Sequence, residues 1–210
     1  MSKVTALHEE SGDRRVRVFL DGRFAFSLDA EVAARENLQV GQELSSAQVE
    51  ALTRAQQFQR GLNAAYRYLS YRPRSEAEIR GRLRRRGFDD DCIGAVMARL
   101  KEQGLVDDAA FAQFWKENRE SFRPRSQRMT KLELRQKGVA ADIIDQVLEE
   151  VDDEDSAYRA ALARTHHWPM SDYPAFRRRL SEYLRRRGFD YEVISHTVER
   201  IWQERGGGSG

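Results

Sequence analysis

The chain has 210 residues, of which 33% are charged and 40% hydrophobic, and its formal net charge at pH 7 is +2. This length allows one or two domains, and so small a net charge does not by itself indicate a nucleic-acid-binding protein. A single cysteine, Cys92, excludes an internal disulfide and fits a reducing compartment. Because no apolar stretch approaches the roughly 20 residues of a membrane span and the N-terminus has no apolar signal core, we expect a cytoplasmic protein without membrane contacts.

Residues 1–55 are predicted to form a small antiparallel β-meander followed by helical structure. Residues 3–28 alternate apolar and polar side chains in three segments, the pattern of half-buried strands. Asp21-Gly22 is a hairpin turn signal, and Ser11-Gly12-Asp13 is suited to join the first two strands. Such a sheet is too small to be stable alone, so we expect it to pack on a helix. Asp29 is predicted to cap a short helix that follows it.

Beyond the meander, helical periodicity and start and stop signals predict nine longer helices. Ser45 or Ser46 begins the first, and Pro73 limits it because the residue before a proline disfavours helical backbone. Ser75-Glu76-Ala77-Glu78 is a capping box that begins the second. The predicted spans are 45–72, 75–87, 90–103, 107–122, 126–138, 141–151, 154–166, 173–187 and 190–204.

One short motif recurs along the chain. Leu83-Arg84-Arg85-Arg86-Gly87-Phe88-Asp89 is repeated at residues 184–190, and a looser form, Leu134-Arg135-Gln136-Lys137-Gly138-Val139, lies between them. The glycines are 51 and 50 residues apart, and self-similarity at such a period is typical of repeat proteins. Each glycine follows a helix with basic residues in its last turn. It is therefore predicted to end that helix in the left-handed conformation, which glycine adopts without a steric penalty.

Apolar residues at helical spacing surround each glycine, with a leucine four residues before it and an isoleucine six residues after it. A preceding helix, rich in aromatic residues or alanine, completes a unit of three helices. The units are repeat 1 (56–102), repeat 2 (107–151) and repeat 3 (154–204), between an N-terminal extension (1–55) and a flexible tail (205–210). Because one unit cannot bury its apolar face alone, we predict a mainly α fold of three tandem three-helix repeats that stack into an elongated, curved body.

Residue patterns typical of catalysis or metal binding are lacking in the sequence. The adjacent pair His166-His167 has no cysteine or carboxylate at ligand spacing, and neither a phosphate-binding glycine loop nor a nucleophile-elbow motif occurs. Asp89-Asp90-Asp91 and Asp107-Asp108 are better explained as helix N-terminal caps than as acid–base groups. Cys92 lies beside the first of these acidic runs, which disfavours a thiolate. We therefore expect no catalytic residue, cofactor or metal.

Arginine clusters are the clearest functional signal. From Arg60 to Lys101 there are eleven Lys and Arg residues against five Asp and Glu residues. Favourable interaction with the negative end of a helix dipole explains one or two cations per helix but not the wider cluster. The alternative to a functional role is that the arginines only complement helix dipoles and keep the protein soluble. Arginine also suits bidentate pairing with carboxylate or phosphate. The candidate partner-binding residues are Arg72, Arg74, Arg82, Arg84, Arg85, Arg86, Arg123, Arg125, Arg128, Arg135, Lys137, Arg178, Arg185, Arg186 and Arg187.

Two features refine this expectation. The middle copy of the motif is reduced to Arg135-Gln136-Lys137, so we expect the outer repeats to carry most of the basic contact surface. Tyr66, Tyr68 and Tyr71 lie among arginines of repeat 1, where they either contact a ligand or pack between units.

Three ordered elements resemble the RecX family of regulatory proteins. Residues 68–78 (Tyr-Leu-Ser-Tyr-Arg-Pro-Arg-Ser-Glu-Ala-Glu), followed by Leu83 and Gly87-Phe88, look like the first RecX repeat. Residues 104–112 (Gly-Leu-Val-Asp-Asp-Ala-Ala-Phe-Ala) and 132–139 (Leu-Glu-Leu-Arg-Gln-Lys-Gly-Val) are similar to two later family elements. The resemblance covers roughly residues 59–151, and a looser third repeat extends it to about 204. Three elements at consistent spacing are far more specific than any one of them.

The resemblance implies a regulator rather than an enzyme. RecX proteins bind filaments of the RecA recombinase on single-stranded DNA, lie in the filament groove, and restrain its ATPase and strand exchange, which modulates recombination, DNA repair and the SOS response. The arginines are then expected to pair with acidic RecA side chains or with DNA phosphates, and the protein is expected to be a monomer. The alternative is a helical repeat module that binds single-stranded DNA without RecA, against which the near-neutral charge and the lack of a clear stacking platform argue.

Overall fold

A computed structural model describes residues 1–9 and 14–205 of the protein. The predicted turn at Ser11-Gly12-Asp13 and residues 206–210 of the predicted tail lie outside the described residues. The chain divides into two compact units: unit 1 comprises Met1–Arg72 with Ile79–Leu105, and unit 2 comprises Pro73–Glu78 with Val106–Gly210. The described residues are mostly helical, with strands only near the N-terminus, which confirms the predicted mainly α fold with an N-terminal antiparallel meander.

The N-terminal strands of unit 1 form an antiparallel sheet that includes the predicted meander. The strands are β1 (Ser2–Glu9), β2 (Arg15–Leu20), β3 (Arg23–Asp29) and β4 (Glu43–Leu44), in the order β3-β2-β1-β4. Asp21 and Gly22 join β2 to β3 with φ values of 50° and 81°, as the predicted two-residue hairpin requires. β4 extends the meander by pairing with the free edge of β1. Fully buried valines and leucines cover one face of the sheet.

Helix α1 (Ala30–Arg35) follows β3 as predicted, and Asp29 occupies its N-cap position, but the Asp29 side chain makes no capping hydrogen bond. The Asp29 carboxylate instead accepts a hydrogen bond from Nε2 of Gln56 (3.0 Å), whose Oε1 accepts one from the backbone N–H of Asp29 (2.7 Å). Gln56 is buried, so this reciprocal pair satisfies its amide and fixes helix α2 (Ser46–Leu69) against the end of β3. The Asp29 carboxylate therefore makes a tertiary hydrogen bond instead of the helix-capping bond that the local sequence predicts.

The nine predicted helices are present among the described residues, with bounds close to those expected. They are α2, α3 (Glu76–Arg84), α4 (Asp90–Glu102), α5 (Asp108–Phe122), α6 (Gln127–Gln136), α7 (Ala141–Leu148), α8 (Asp153–Thr165), α9 (Tyr173–Arg186) and α10 (Tyr191–Glu204). Ser45 and Gln48 form a capping box at the start of α2, and Asp107 and Ser126 cap α5 and α6 through backbone N–H groups. Repeats 1, 2 and 3 correspond to α2–α4, α5–α7 and α8–α10.

Each predicted glycine turn is flanked by a buried leucine and a buried isoleucine. The pairs are Leu83 with Ile93, Leu134 with Ile144, and Leu184 with Ile194. In unit 2 the second and third pairs lie in two separate apolar clusters, one per repeat. The apolar faces predicted from helical spacing therefore do form the cores.

The Gly138 turn packs against the beginning of α3, a contact that we call joint A. The Ser75 hydroxyl, which also caps α3, donates a hydrogen bond to the carbonyl oxygen of Lys137 (2.6 Å). A Cβ atom at Gly138 would lie 2.3 Å from the Cβ of Ala77, so no larger residue fits at this position without movement. Joint A lies within unit 2, because unit 2 includes residues 73–78.

The Gly188 turn packs in the same way against the beginning of α6, and we call this contact joint B. The backbone N–H of Ser126 donates to the carbonyl oxygen of Arg187 (3.1 Å). A Cβ atom at Gly188 would lie 2.0 Å from Cγ of Met129 and 2.7 Å from the Ser126 hydroxyl. Joints A and B, both within unit 2, are thus one kind of contact, between a helix-ending turn and the start of an earlier helix.

Candidate partner-binding surfaces

The structure divides the predicted partner-binding cations by the contacts they make. Contacts with side chains or carbonyl groups of the chain are made by Arg82, Arg84, Arg125, Lys137, Arg186 and Arg187. Arg72 and Arg74 are half-buried on either side of Pro73. Seven arginines are exposed and have no acidic partner among residues 1–9 and 14–205. They are Arg85, Arg86, Arg123, Arg128, Arg135, Arg178 and Arg185. These exposed arginines are able to bind an anionic partner without breaking a contact inside the protein.

Arg125 belongs to a half-buried cluster centred on Glu133 of α6. The Glu133 carboxylate accepts hydrogen bonds from Nε1 of Trp115 (2.7 Å), Nε of Arg119 (2.7 Å) and Nη1 of Arg125 (2.5 Å). Only 13% of the Glu133 side chain is exposed. The Glu133 carboxylate balances the charge of two guanidinium groups and accepts a hydrogen bond from an indole N–H, all within repeat 2. Arg125 is therefore engaged inside the protein and largely buried.

Replacing Glu133 by Ala is expected to lower the free energy of unfolding by about 2–4 kcal/mol, because the substitution leaves two largely buried guanidinium groups without their anion. Glu117→Ala on α5 is the matched control: Glu117 is exposed and, among the described residues, accepts a hydrogen bond from Gln113 alone (2.8 Å), so its loss should cost less than about 0.5 kcal/mol. Urea unfolding followed by circular dichroism measures both. Equal stability of the two variants would contradict a structural role for the cluster.

Lys137 and Arg187 occupy equivalent positions before their glycines, and both are engaged at the joints. Nζ of Lys137 pairs with Oε1 of Glu78 (3.1 Å) and lies 4.2 Å from the centroid of the Trp115 ring. Arg187 donates to the carbonyl oxygen of Pro124 (2.7 Å) while its guanidinium lies over the Tyr183 ring. These contacts give both cations a stabilising role within unit 2.

Unit 1 contains a concave site of about 280 Å³ beside the Gly87 turn, which we call pocket N. It is lined by Arg60, Asn63, Ala64, Arg67, Arg86 and Phe88. Arg60 and Arg67 lie two turns apart on α2 and therefore share a face, which Arg86 meets from the turn. None of these three arginines has an acidic partner in the described part of the chain. Pocket N is therefore strongly cationic and suited to carboxylate or phosphate.

Unit 2 contains a larger concave site of about 430 Å³ between α9 and α10, which we call pocket C. It is lined by Arg177, Arg178, Ser181, Glu182, Arg185, Phe189, Tyr191, Ile194 and Ser195. The three arginines make no ion pair with any described residue, whereas Glu182 is paired with Arg186 (2.8 Å). Phe189 and Ile194 are buried and Tyr191 is 76% exposed, so pocket C combines an apolar lining with a cationic rim.

The two pockets contain residues that the predicted set omitted, namely Arg60, Arg67, Arg177 and Tyr191. Arg60 and Arg67 lie two turns apart on one helix, and Arg177 directly precedes Arg178, which was predicted. The spacing of arginines along each helix was therefore the signal that could have identified them. The exposed arginines of repeat 2 line neither pocket; these are Arg123, Arg128 and Arg135.

Cys92, His166 and His167 are residue types that can act in catalysis or bind metals. Burial, and secondarily the charge of Asp89, raises the pKa of the Cys92 thiol, which disfavours the nucleophilic thiolate. The rings of His166 and His167 contact each other with nitrogens 3.3 Å apart. Within residues 1–9 and 14–205, no three His, Cys, Asp or Glu side chains are grouped so that they would hold a metal ion. The same residues include no helix with the length and apolarity needed to cross a membrane.

Models of three RecX domains match the chain. The regulatory protein RecX N-terminal domain matches residues 3–45, the first RecX three-helix domain matches residues 62–100, and the second matches residues 107–148. The second of these ranges contains the Gly87 turn, and the third contains the Gly138 turn.

Curated relatives named regulatory protein RecX are similar over most of the chain. The protein of Listeria welshimeri serovar 6b is 29% identical over 195 residues, which cover 91% of this chain and 72% of the relative. That of Lactobacillus gasseri is 29% identical over 204 residues, covering 96% and 75%. That of Listeria monocytogenes serotype 4b (strain F2365) is 33% identical over 153 residues, covering 72% and 57%, so the match spans little more than half of that relative.

Two solved structures have a similar fold. A crystal structure of regulatory protein RecX superposes with a TM-score of 0.68 over 95% of this chain and 100% of that chain. The crystal structure of RecX from Lactobacillus salivarius superposes with a TM-score of 0.59 over 70% of this chain and 97% of that chain. Both are 23% identical in sequence, a level at which the likeness concerns the fold. Since the matched domains cover the N-terminal sheet and the first two helical repeats in order, the chain belongs to the RecX family.

Proposed function

We propose that this protein binds filaments of the RecA recombinase on single-stranded DNA and inhibits their ATPase and strand exchange, and thereby regulates recombination and DNA repair. Membership of a family of regulatory proteins supports a regulatory role. The observation that carries the proposal is the placement of unpaired arginines around pockets N and C, in repeats 1 and 3. Such groups gain most from a partner that presents carboxylates or phosphates.

The two pockets suit a large anionic partner better than a small metabolite. Each places three arginine side chains at the rim of an open concavity. In repeat 2, by contrast, Lys137 is engaged with Glu78 and Arg125 with Glu133. The arginines that line pockets N and C therefore lie in the outer repeats, where the basic contact surface is expected. A filament that repeats one subunit presents the same acidic groups many times and is able to meet both pockets.

The direct test is addition of the purified protein to RecA–single-stranded DNA filaments at fewer than one copy per RecA subunit. We expect DNA strand exchange and DNA-dependent ATP hydrolysis to fall, since capping or covering a filament acts on many subunits at once. The controls are RecA alone and the protein alone. A correctly folded protein, verified by circular dichroism, that leaves both RecA activities unchanged would contradict the proposal.

A second candidate function, binding of single-stranded DNA without RecA, is favoured by one observation. Pocket C places the exposed Tyr191 ring near Arg178 and Arg185, and an aromatic ring beside cations is how many proteins hold single strands. A parallel titration with bare oligo-dT separates the two functions. If the protein binds DNA without RecA, its affinity for bare oligo-dT should equal its affinity for the filament and should fall steeply with salt concentration. Weak binding to bare DNA with tight binding to filaments favours RecA as the partner.

A further inference from the structure

The three glycine turns have the same backbone but different surroundings. Gly87, Gly138 and Gly188 have φ values of 84°, 78° and 90°, and each N–H bonds to the carbonyl oxygen three residues earlier at 2.9–3.0 Å. A Cβ atom at Gly138 or Gly188 would collide with a helix of the preceding repeat, whereas a Cβ atom at Gly87 would have no atom within 4 Å. Among the described residues, the Gly87 turn is thus an uncovered copy of a surface that is covered at Gly138 and at Gly188.

The covering element is the same in both joints: the first turn of a helix that begins with serine. Ser75 donates its hydroxyl, and Ser126 its backbone N–H, to the carbonyl oxygen of the residue before the glycine. That carbonyl lies at the end of a helix, where acceptors lack intrahelical donors. At the uncovered turn the equivalent carbonyl belongs to Arg86, and no described residue donates a hydrogen bond to it. The Gly87 turn therefore keeps an acceptor that its two relatives have satisfied.

The cation beside the carbonyl is engaged differently in the two joints: in joint B, Arg187 donates to the carbonyl oxygen of Pro124 and has no acidic partner among the described residues. In joint A, Lys137 pairs with Glu78, which lies three residues after Ser75 in the capping box of α3. At the uncovered turn the equivalent cation is Arg86, and it is accompanied by Arg60 and Arg67 in pocket N. Three arginines without an acidic partner among the described residues, next to a carbonyl without a protein donor there, suit a helix start with an acidic first turn.

Steric room is also available for such an element. Arg86 and Gly87 are exposed and Phe88 is half-buried, whereas Val139 and Phe189, the equivalents of Phe88, are both buried. The incoming helix would cover Phe88 as α3 covers the Gly138 turn and α6 the Gly188 turn. Ala77 packs on Gly138 in joint A, and Met129 packs on Gly188 in joint B. A small or flexible side chain in the first turn of the incoming helix therefore fits against the glycine.

We propose that the Gly87 turn and pocket N together receive the start of a helix from the partner, one that begins with Ser or Thr and carries Glu or Asp in its first turn. The proposal rests on the proposed function in taking the RecA filament as the protein that presents this helix. A second copy of this chain is a poorer occupant. Its helix starts at Ser75 and Ser126 are already engaged in joints A and B, and α2, which Ser45 caps, has no acidic residue in its first turn.

The test replaces Gly87 by Asn, a residue that tolerates the left-handed conformation but adds a side chain to the uncovered surface. Gly104→Asn is the matched control, since Gly104 has a φ of 66°, follows the end of α4 and likewise has no atom within 4 Å of a built Cβ. Both variants should melt at similar temperatures. We expect Gly87→Asn to bind RecA filaments at least about tenfold more weakly than the wild type and Gly104→Asn to bind equally well, measured by fluorescence anisotropy. Equal binding by all three proteins would overturn the proposal.

A peptide titration tests the same surface without RecA. The probe is a helical, alanine-based peptide of about 16 residues that starts Pro-Arg-Ser-Glu-Ala-Glu, and the control peptide has Ala in place of the Ser and Lys in place of the second Glu. We expect the probe to shift the amide NMR signals of Arg86, Gly87 and Phe88, and to bind at least about tenfold more weakly to Gly87→Asn. The control peptide should bind the wild type at least about tenfold more weakly than the probe does.

The two arms distinguish failure of the inference from failure of the proposed function. If the wild type does not bind filaments, the proposed function fails, and the peptide arm alone decides the inference. If both peptides bind equally, or the shifts occur elsewhere, the inference is overturned. If sedimentation shows self-association of the wild type that Gly87→Asn abolishes, the occupant is a second copy and the assignment to a partner is overturned.

Discussion

Reversing the charge of Arg177, Arg178 and Arg185 to Glu is expected to weaken inhibition of RecA strand exchange by about a hundredfold. Each arginine is unpaired in the described structure, so each gains a charge-assisted contact in a complex, and such contacts contribute about 1.5–3 kcal/mol each. Their effects do not add fully, and a total of about 3 kcal/mol corresponds to this factor. The concentration that halves strand exchange is the quantity to measure, with wild type and variant compared at equal salt.

The matched control reverses Arg123, Arg128 and Arg135 of repeat 2, which are exposed and unpaired among the described residues but line neither pocket. Each substitution changes the charge by two units, so both triple variants move the net charge from +2 to −4. Their thermal unfolding should change little, since exposed side chains rarely contribute more than about 0.5 kcal/mol each. If both variants lose inhibition equally, general charge attraction rather than pocket C explains the effect.

Gly188→Ala is expected to lower the free energy of unfolding of unit 2 by about 3–4 kcal/mol. Alanine in the left-handed conformation costs about 1–2 kcal/mol. The added Cβ would also lie 2.0 Å from Cγ of Met129 and 2.7 Å from the Ser126 hydroxyl, and overpacking of this kind costs about 1–3 kcal/mol. The chain's three tryptophans, Trp115, Trp168 and Trp202, all belong to unit 2, so their fluorescence in a urea titration reports this loss.

Gly87→Ala is the internal comparison, because residues 83–89 and 184–190 are identical in sequence. The left-handed backbone is the same, but a Cβ at Gly87 would have no atom within 4 Å, so only the conformational cost of about 1–2 kcal/mol applies. Far-UV circular dichroism follows the unfolding of both units in each variant. A loss at Gly87 as large as that at Gly188 would show that joint B contributes nothing beyond the turn itself.

Most of the secondary structure was predictable because its signals are local. Asp107 and Ser126 cap helices through backbone N–H groups two or three residues away, and Asp21-Gly22 forms a hairpin from its own torsion angles. Such contacts require only the neighbouring residues, so they can be identified in the sequence. Asp29 is the exception: its carboxylate bonds to Gln56, 27 residues later, and no local pattern indicates that contact.

The candidate site was only partly predictable. The arginine clusters placed Arg178 and Arg185 among the candidate partner-binding residues, but they did not show that Arg187 bonds to Pro124 or that Arg125 bonds to Glu133. One sequence signal for the joints was overlooked. Arg-Pro-Arg-Ser occurs at residues 72–75 and again at 123–126, and each serine receives the glycine turn of the next repeat.

The helices, most of their caps, the glycine turns and the repeat of about 50 residues could be predicted from the sequence, because each depends on residues close together in the chain. The tertiary structure decided which cations are free. Arg86 and Arg187 occupy the same position in identical heptapeptides, yet Arg187 bonds to a carbonyl 63 residues away and Arg86 lines pocket N. The physical reason is that a side chain's availability depends on what packs against it: among the described residues, the start of an earlier helix packs against the turns of repeats 2 and 3 but not against that of repeat 1.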